Sequence, residues 1–205
     1  MKQYDIFPEC NVDTNLIGYL LGGYPKHKSS CNEVVKAVNN KDGFAIGIID
    51  ADKRLATLDP GFVKFNELDL SAENECEREH ITMYIHQDEK RYIFTITPAM
   101  DKFILDAAKQ QKVDMKQAGF PNKLETFIKL TKRIQSANDA KLRNLFDKIK
   151  SYPELQRFRN TIKYLLHCQI NADLKLVKSF FNGELSNMDL VDLLNKHYDP
   201  TTLKF

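Results

Sequence analysis

The sequence predicts an α/β fold: an open, mainly parallel sheet flanked by helices and followed by an all-helical C-terminal region. Three observations support this prediction. Apolar segments of strand length alternate with helical patterns over the first hundred residues, as in a parallel sheet with helices on its faces. The segment GFAIGIID is apolar at both sets of alternating positions, which indicates a strand covered on both sides. From about residue 121 onward the periodicity is helical.

The first predicted elements are a strand, a helix, a short connecting segment, a second helix and a second strand. QYDIFPE is predicted as a strand that ends near Glu9, and DTNLIGYLLGG as a helix that ends at Gly22 and Gly23. The following YPKHK has room for only a very short strand. Ser30 and, three residues later, Glu33 predict a capping box at the start of the next helix, which leads into GFAIGIID.

Two more strands and one more helix complete the predicted sheet region. HITMYIHQ and RYIFTITP have the composition of strands and are joined by a polar segment, residues 87–90. Thr97, followed by proline, predicts the next helix start with Thr97 as its N-cap. The change to helical patterns predicts two domains, residues 1–120 with the sheet and residues 121–205 with helices.

The charge is distributed unevenly between these two parts. Residues 1–120 hold 15 Lys and Arg against 19 Asp and Glu, whereas residues 121–205 hold 15 against 9. The densest basic stretch has ten Lys and Arg between residues 129 and 163, with Tyr and Phe interleaved at helical spacing. Such a stretch is compatible with a polyanionic partner such as nucleic acid, and equally with well-solvated helices whose aromatic residues belong to a core.

The cysteine spacing and the N-terminus bear on localisation. Four cysteines are spread along the chain with no CxxC pair, which is typical of reduced thiols in a cytosolic protein. The first ten residues lack the apolar core of a signal peptide, and no apolar run approaches the roughly 20 residues of a membrane helix. We therefore expect a cytoplasmic protein with no membrane contact.

Acidic residues follow two predicted strands at the points where these strands end. Glu9 ends the first strand, Asp50 ends the apolar strand, and Asp52 follows Asp50 on the same side of the chain. The carboxyl ends of parallel strands meet at one edge of a sheet, where functional groups gather. Asp13, at the start of the first helix, either adds an oxygen ligand or caps that helix. Clustered carboxylates repel one another unless a cation is present, and oxygen-only ligands suit Mg²⁺ or Mn²⁺.

The two acidic motifs, ECNVD at residues 9–13 and DAD at residues 50–52, resemble those of the TOPRIM domain. This domain is the metal-binding module of topoisomerases, DnaG-type primases, OLD-family nucleases and small ribosomal-RNA maturases. It has a Glu at the end of its first strand, often within Glu-Gly-x-x-Asp, and an Asp-x-Asp after a later apolar strand. The resemblance covers about residues 3–110, and Cys10 stands where the family commonly has glycine.

The resemblance implies a role for each of these acidic residues. In TOPRIM enzymes the acidic residues bind a divalent metal, and the upstream Glu acts as general acid or base. Carried over to this chain, Glu9 is the acid/base candidate and a ligand, Asp50 and Asp52 are metal ligands, and Asp13 is a secondary ligand. Small TOPRIM nucleases often accompany an ATPase in bacterial antiphage or toxin modules, so an ATPase partner is expected by analogy.

Basic residues close to the acidic motifs are candidates for phosphate contacts. Lys26, His27 and Lys28 precede a helix start, which is a favourable position for a phosphate and also an ordinary solvated loop. Lys53 and Arg54 follow Asp52 directly. We place Lys53 in the catalytic group, where it would steady the scissile phosphate, and Arg54 among the nucleic-acid contacts; balancing the local negative charge is the simpler alternative for both.

The predicted function is therefore a Mg²⁺- or Mn²⁺-dependent nuclease that hydrolyses phosphodiester bonds of DNA or RNA and is able to form oligomers. The alternative is a non-catalytic interaction protein with a degenerate acidic site that docks a partner through its helical region. A flavodoxin-like phosphoacceptor is a third interpretation, but the chain lacks a complete five-strand, five-helix repeat. Cys76, His80 and His86 do not match a zinc-binding template.

Overall fold

The computed structural model describes residues 4–51, 58–66, 79–135 and 138–196. Five strands form one sheet in the spatial order β1-β2-β5-β4-β3. Their bounds are β1 Ile6–Pro8, β2 Ala45–Asp50, β3 Phe62–Lys64, β4 Ile81–His86 and β5 Arg91–Ile96. The α/β class is thus confirmed, with helices flanking a sheet.

The sheet is mixed rather than mainly parallel. β1 pairs with β2, and β2 with β5, in parallel, with Ile6 opposite Ile46 and Ile48 opposite Phe94. β4 pairs with β5, and β3 with β4, in antiparallel fashion. The reason is the four-residue connection 87–90 between β4 and β5, because so short a link permits only an antiparallel pair.

β2 lies inside the sheet, between β1 and β5, and is buried on both faces, as its apolar sequence predicts. Its Gly47 permits a close approach of the helix α2, Cys31–Asn39, to the sheet. A Cβ atom on Gly47 would lie 2.9 Å from Val34 Cγ1 and 3.1 Å from Val38 Cγ2. α2 therefore covers this face of the sheet at van der Waals contact.

The predicted end of α1 is confirmed, and the predicted start of α2 is confirmed in part. α1, Asn11–Leu21, ends at Gly22, which has φ 64° in the left-handed region that favours glycine. Ser30 caps α2, since its Oγ accepts a hydrogen bond from the Glu33 N–H. The second half of the predicted capping box is wrong, because the Glu33 carboxylate accepts from the N–H and hydroxyl of Ser29 instead.

The predicted N-cap at Thr97 is wrong. α3 spans Met100–Gln110 and its N-cap position is Ala99, which has no side-chain oxygen to offer. The Thr97 N–H donates to the His80 carbonyl at 2.7 Å, so Thr97 continues the pairing of β5 with the chain before β4. One backbone hydrogen bond thus continues beyond the end of β5, and the helix begins two residues later than the Thr-Pro signal indicates.

The chain divides into two compact units, residues 1–152 and 153–205. The boundary predicted between residues 120 and 121 lies inside the first unit, which also contains α4, Leu124–Thr131, and α5, Ala140–Ile149. α4 packs against α3, and α5 packs against α1 and α3. The Tyr19 hydroxyl donates to Asp147 Oδ1 at 2.7 Å and so fixes α5 to α1.

The second unit consists of helices. They are α6 Pro153–Cys168, a 3₁₀ turn Gln169–Asn171, α7 Leu174–Phe181 and α8 Asn187–Lys196. Tyr164 of α6 packs on Phe180 of α7 with ring centroids 5.3 Å apart, so these aromatic side chains belong to a core. Across all the described ranges, none of the helices is both long and apolar enough to span a membrane.

Candidate functional site: a carboxylate cluster at the sheet edge

Glu9 and Asp50 meet at the carboxyl ends of two adjacent parallel strands. Glu9 follows β1 directly, and its N–H donates to the Ile48 carbonyl of β2 at 3.1 Å. Glu9 Oε2 in turn accepts a hydrogen bond from the Asp50 N–H, also at 3.1 Å. Because β1 and β2 are parallel neighbours, they bring these two residues together across 41 positions of sequence.

Asp13 lies beside this pair, in the first turn of α1, and is completely buried. Its Oδ2 accepts a hydrogen bond from the Cys10 N–H at 3.2 Å, which closes a capping box. Its Oδ1 is buried without a hydrogen-bond partner. Burial raises the pKa of Asp13 well above its ordinary value, and the negative charges of Asp50 and Glu9 raise this pKa further.

Cys10 occupies the position where the TOPRIM pattern commonly has glycine. Its φ of −130° and ψ of 173° are extended, so no positive φ calls for glycine here. The Cys10 Sγ accepts from the Asp13 N–H at 3.5 Å and acts as the N-cap of α1. Burial strongly raises the pKa of the Cys10 thiol, with Asp13 adding to the effect, so this group stays a protonated thiol rather than a nucleophilic thiolate.

Asp50 connects the cluster to α3. Its Oδ1 accepts a hydrogen bond from the Met100 N–H at 2.9 Å. Since Ala99 has no capping oxygen, Asp50 satisfies a free N–H at the start of α3 from a strand 50 residues away. The carboxylate also lies where the positive end of the helix dipole stabilises a negative charge.

Glu9, Asp13 and Asp50 thus form one electrostatically coupled group, which we call the carboxylate cluster. Each of the three carboxylates accepts a hydrogen bond from a backbone N–H. Within the described parts of the chain, no three His, Cys, Asp or Glu side chains are arranged to hold a metal ion between them. Asp52, the fourth predicted ligand, lies outside the described residues, as do Lys53 and Arg54.

The predicted basic residues 26–28 run beside β1 at the edge of the sheet. The N–H groups of Lys26 and Lys28 donate to the Ile6 and Pro8 carbonyls. The Nζ atoms of both lysines lie over the Phe7 ring, at 5.9 and 5.4 Å from its centroid. Lys26 is also paired with Asp5 at 2.5 Å, and Lys41 pairs with the same carboxylate at 3.0 Å, so one negative charge serves two lysines.

His27 points the other way from its two neighbours and contacts α1. Its Nδ1 lies 3.1 Å from the Thr14 Oγ, which itself donates to the Cys10 carbonyl at 2.7 Å. Since the Thr14 hydroxyl proton is directed to the Cys10 carbonyl, this arrangement favours a His27 ring that donates to Thr14 through Nδ1–H. The sequence did not indicate Thr14 as part of the site; its position one turn after Cys10 is the only signal.

A second buried cluster lies at the same edge of the sheet, where β5 ends. His80 precedes β4 and is hydrogen-bonded through Nε2 to Asp106 Oδ2 at 2.9 Å, while Lys102 pairs with the same carboxylate. Burial acts to raise the pKa of Asp106, but hydrogen bonds from His80 and Lys102 outweigh it and lower this pKa. Three residues were considered as zinc ligands. His80 is bonded to Asp106, and His86 pairs with Asp88. Cys76 lies outside the described residues.

Comparison of the chain with protein-family models, curated proteins and solved structures returned no match.

Proposed function

We propose that the protein is a divalent-metal-dependent nuclease that hydrolyses phosphodiester bonds of DNA or RNA, with Mg²⁺ or Mn²⁺ held by Glu9, Asp13, Asp50 and Asp52. The observation that carries the proposal is the completely buried Asp13 carboxyl, whose Oδ1 has no partner and which lies beside two further carboxylates. Three neighbouring carboxylates that are all ionised repel one another, and burial adds to the cost of their charge. A bound hard cation offsets this repulsion. Oxygen-only donors match the preference of Mg²⁺ and Mn²⁺.

The chemistry assigned to the site follows from these groups. A bound divalent ion supplies Lewis-acid stabilisation of phosphate oxygens and lowers the pKa of a coordinated water. Glu9, anchored to the Asp50 N–H through one oxygen, is the residue we assign as general acid or base. Lys53 is assigned to the scissile phosphate, and Lys26, His27, Lys28 and Arg54 to the flanking backbone.

The likeness to TOPRIM nucleases supports this proposal through motif order. Glu9 follows β1, Asp13 lies in α1, and Asp50 ends β2 after the further helix α2, with β1 and β2 adjacent and parallel. By the same likeness we include in the proposal an ATPase partner and a role in an antiphage or toxin module. The spacing of the cysteines adds a cytoplasmic location to the proposal.

Cleavage assays with two isosteric variants test the proposal. Plasmid DNA and total RNA are incubated with the wild type in Mg²⁺, Mn²⁺ or EDTA, and with Glu9→Gln and Asp50→Asn. We expect metal-dependent cutting that falls at least about 10²-fold in both variants, because each loses a charge required for the cation. Asp42→Asn is the matched control, since this exposed carboxylate lies before the amino end of β2 and should leave the rate unchanged.

A non-catalytic interaction protein is the second candidate, favoured by one specific observation. Each carboxylate of the cluster already accepts a backbone N–H, and the described side chains do not form a ready-made ligand set. If the carboxylates only brace β1, β2 and α3, no cutting is seen in any metal, and Glu9→Gln and Asp50→Asn lower the free energy of unfolding by the same amount with and without Mg²⁺.

A further inference from the structure

The connection between α4 and α5 is tied to the start of α1, next to the carboxylate cluster. The Asn11 side chain donates through Nδ2 to the Ile134 carbonyl at 3.0 Å. One turn further along α1, the Asn15 Oδ1 accepts the Asp139 N–H at 2.5 Å, and the Asn15 Nδ2 donates to the Asn11 carbonyl at 2.8 Å. Asn15 is completely buried, so this polar contact is a built feature of the first unit.

A second contact fixes the end of α4 at the start of α3. The Thr131 Oγ donates to Asp101 Oδ1 at 2.7 Å, and Thr131 is buried. Asp101 directly follows Met100, whose N–H is bonded to Asp50 of the carboxylate cluster. The last residue of α4 therefore lies two hydrogen bonds away from Asp50.

Lys132 and Arg133 are the only two residues between these fixed points, Thr131 on one side and Ile134 on the other. Both side chains are exposed, and neither forms an ion pair within the described residues. Lys132 interacts electrostatically with Asp101, whose carboxylate is bonded to Thr131. Two exposed cations thus lie on a segment that is tied to the starts of α1 and α3, the helices that carry Asp13 and the Met100 N–H bonded to Asp50.

From this placement we infer that Lys132 and Arg133 hold a phosphodiester backbone across the carboxylate cluster. The inference rests on the proposed function for the identity of the site, and it adds the surface by which the substrate reaches it. Cations that stand free beside an anionic centre bind a polyanion through counterion release, and Arg adds a forked contact to phosphate oxygens. Such contacts to phosphate oxygens position the nucleic acid and do not read the sequence of its bases.

Binding of nucleic acid in the absence of metal tests the inference, because a metal-dependent nuclease can bind its substrate but cannot cut it under these conditions. Fluorescence anisotropy of a labelled DNA oligonucleotide and an RNA of the same sequence is measured in EDTA between about 50 and 200 mM salt, the range over which phosphate contacts dominate the dependence. For K132Q/R133Q we expect affinity about tenfold weaker than wild type and a log–log salt slope smaller by about 1.5 to 2, as two lost phosphate contacts predict. Comparing the two oligonucleotides shows which phosphate backbone the surface prefers.

The matched control is K109Q/K116Q, which also removes two exposed cations from the first unit, but at and beyond the other end of α3. This variant should bind as the wild type does. Equal weakening in both double variants, or no binding of either nucleic acid by the wild type, overturns the inference. If K132Q/R133Q loses binding selectively while the wild type cuts nothing in Mg²⁺ or Mn²⁺, the binding surface stands and the nuclease proposal fails.

Discussion

Asp13 is the residue on which the interpretation of the site depends most. A completely buried carboxyl with one unpartnered oxygen is costly for a folded protein unless it is protonated or neutralised. Its Oδ2 explains its role as the N3 residue of a capping box, but a Gln there would accept the same hydrogen bond without bringing an ionisable group into the interior. The cation of the proposed function would favour the ionised form of this carboxyl.

The first prediction concerns the pH dependence of stability in the Asp13→Asn variant. Because the pKa of Asp13 is raised in the folded state, the folded protein binds more protons than the unfolded one above the ordinary aspartate pKa of about 3.9. Stability of the wild type in EDTA should therefore fall as the pH rises from about 4 through the raised pKa. Asn does not titrate, so Asp13→Asn lacks this loss of stability. The free energy of unfolding of the variant minus that of the wild type should therefore increase with pH, by about 1–3 kcal/mol.

Urea unfolding of both proteins in EDTA at several pH values measures this difference. A variant that is destabilised by a constant amount at every pH would show that Asp13 carries no strained charge. The same variant tests the capping role, because Asn is itself a good capping residue and keeps an oxygen for the Cys10 N–H.

Among the elements of the fold, the close packing of α2 on β2 keeps this interior strand fixed, and with it the position of Asp50. The packing depends on Gly47, where the space for a Cβ atom is filled by Val34 and Val38. β2 pairs with both β1 and β5, so a displaced β2 would also disturb the Glu9 contact.

The second prediction is that Gly47→Ala destabilises the protein by about 1–3 kcal/mol, because the added methyl group overpacks a rigid helix–sheet contact. Gly43→Ala serves as the control, since a Cβ atom there has no neighbour within 4 Å. Denaturant midpoints of the two variants give the comparison. Equal midpoints would mean that α2 moves away from the sheet at little cost.

The sequence predicts the strands that form the site better than it predicts the contacts between distant elements. β2 was predicted from its apolar pattern, and the Glu9–Asp50 proximity from the geometry of parallel strand ends. The cap of α3 by Asp50 was not predicted, because its acceptor and donor are 50 residues apart and a backbone N–H leaves no mark in the sequence. The Asn11 contact with Ile134 spans 123 residues and was missed for the same reason.

For the whole molecule, the sheet and the five helices α1–α5 form a unit in which the carboxylate cluster has neighbours from many parts of the chain. β2, α1 and α3 each contribute a carboxylate or an N–H to it, Glu9 follows β1 directly, and the last residue of α4 is bonded to Asp101, next to Met100. The domain boundary expected near residue 120 followed a change in composition. Burial of Phe127, Leu145 and Phe146 instead includes α4 and α5 in the first unit.

If the proposed function is right, Glu9, Asp13 and Asp50 share a divalent cation, and anomalous diffraction from crystals soaked in Mn²⁺ can locate it. We expect one strong Mn²⁺ peak within about 2.0–2.6 Å of carboxylate oxygens from at least two of these residues, the distance range of hard cations with oxygen ligands. Crystals of Asp13→Asn soaked in parallel should show a much weaker peak. Full Mn²⁺ occupancy elsewhere on the protein, with none at the carboxylate cluster, would rule out the proposed metal site.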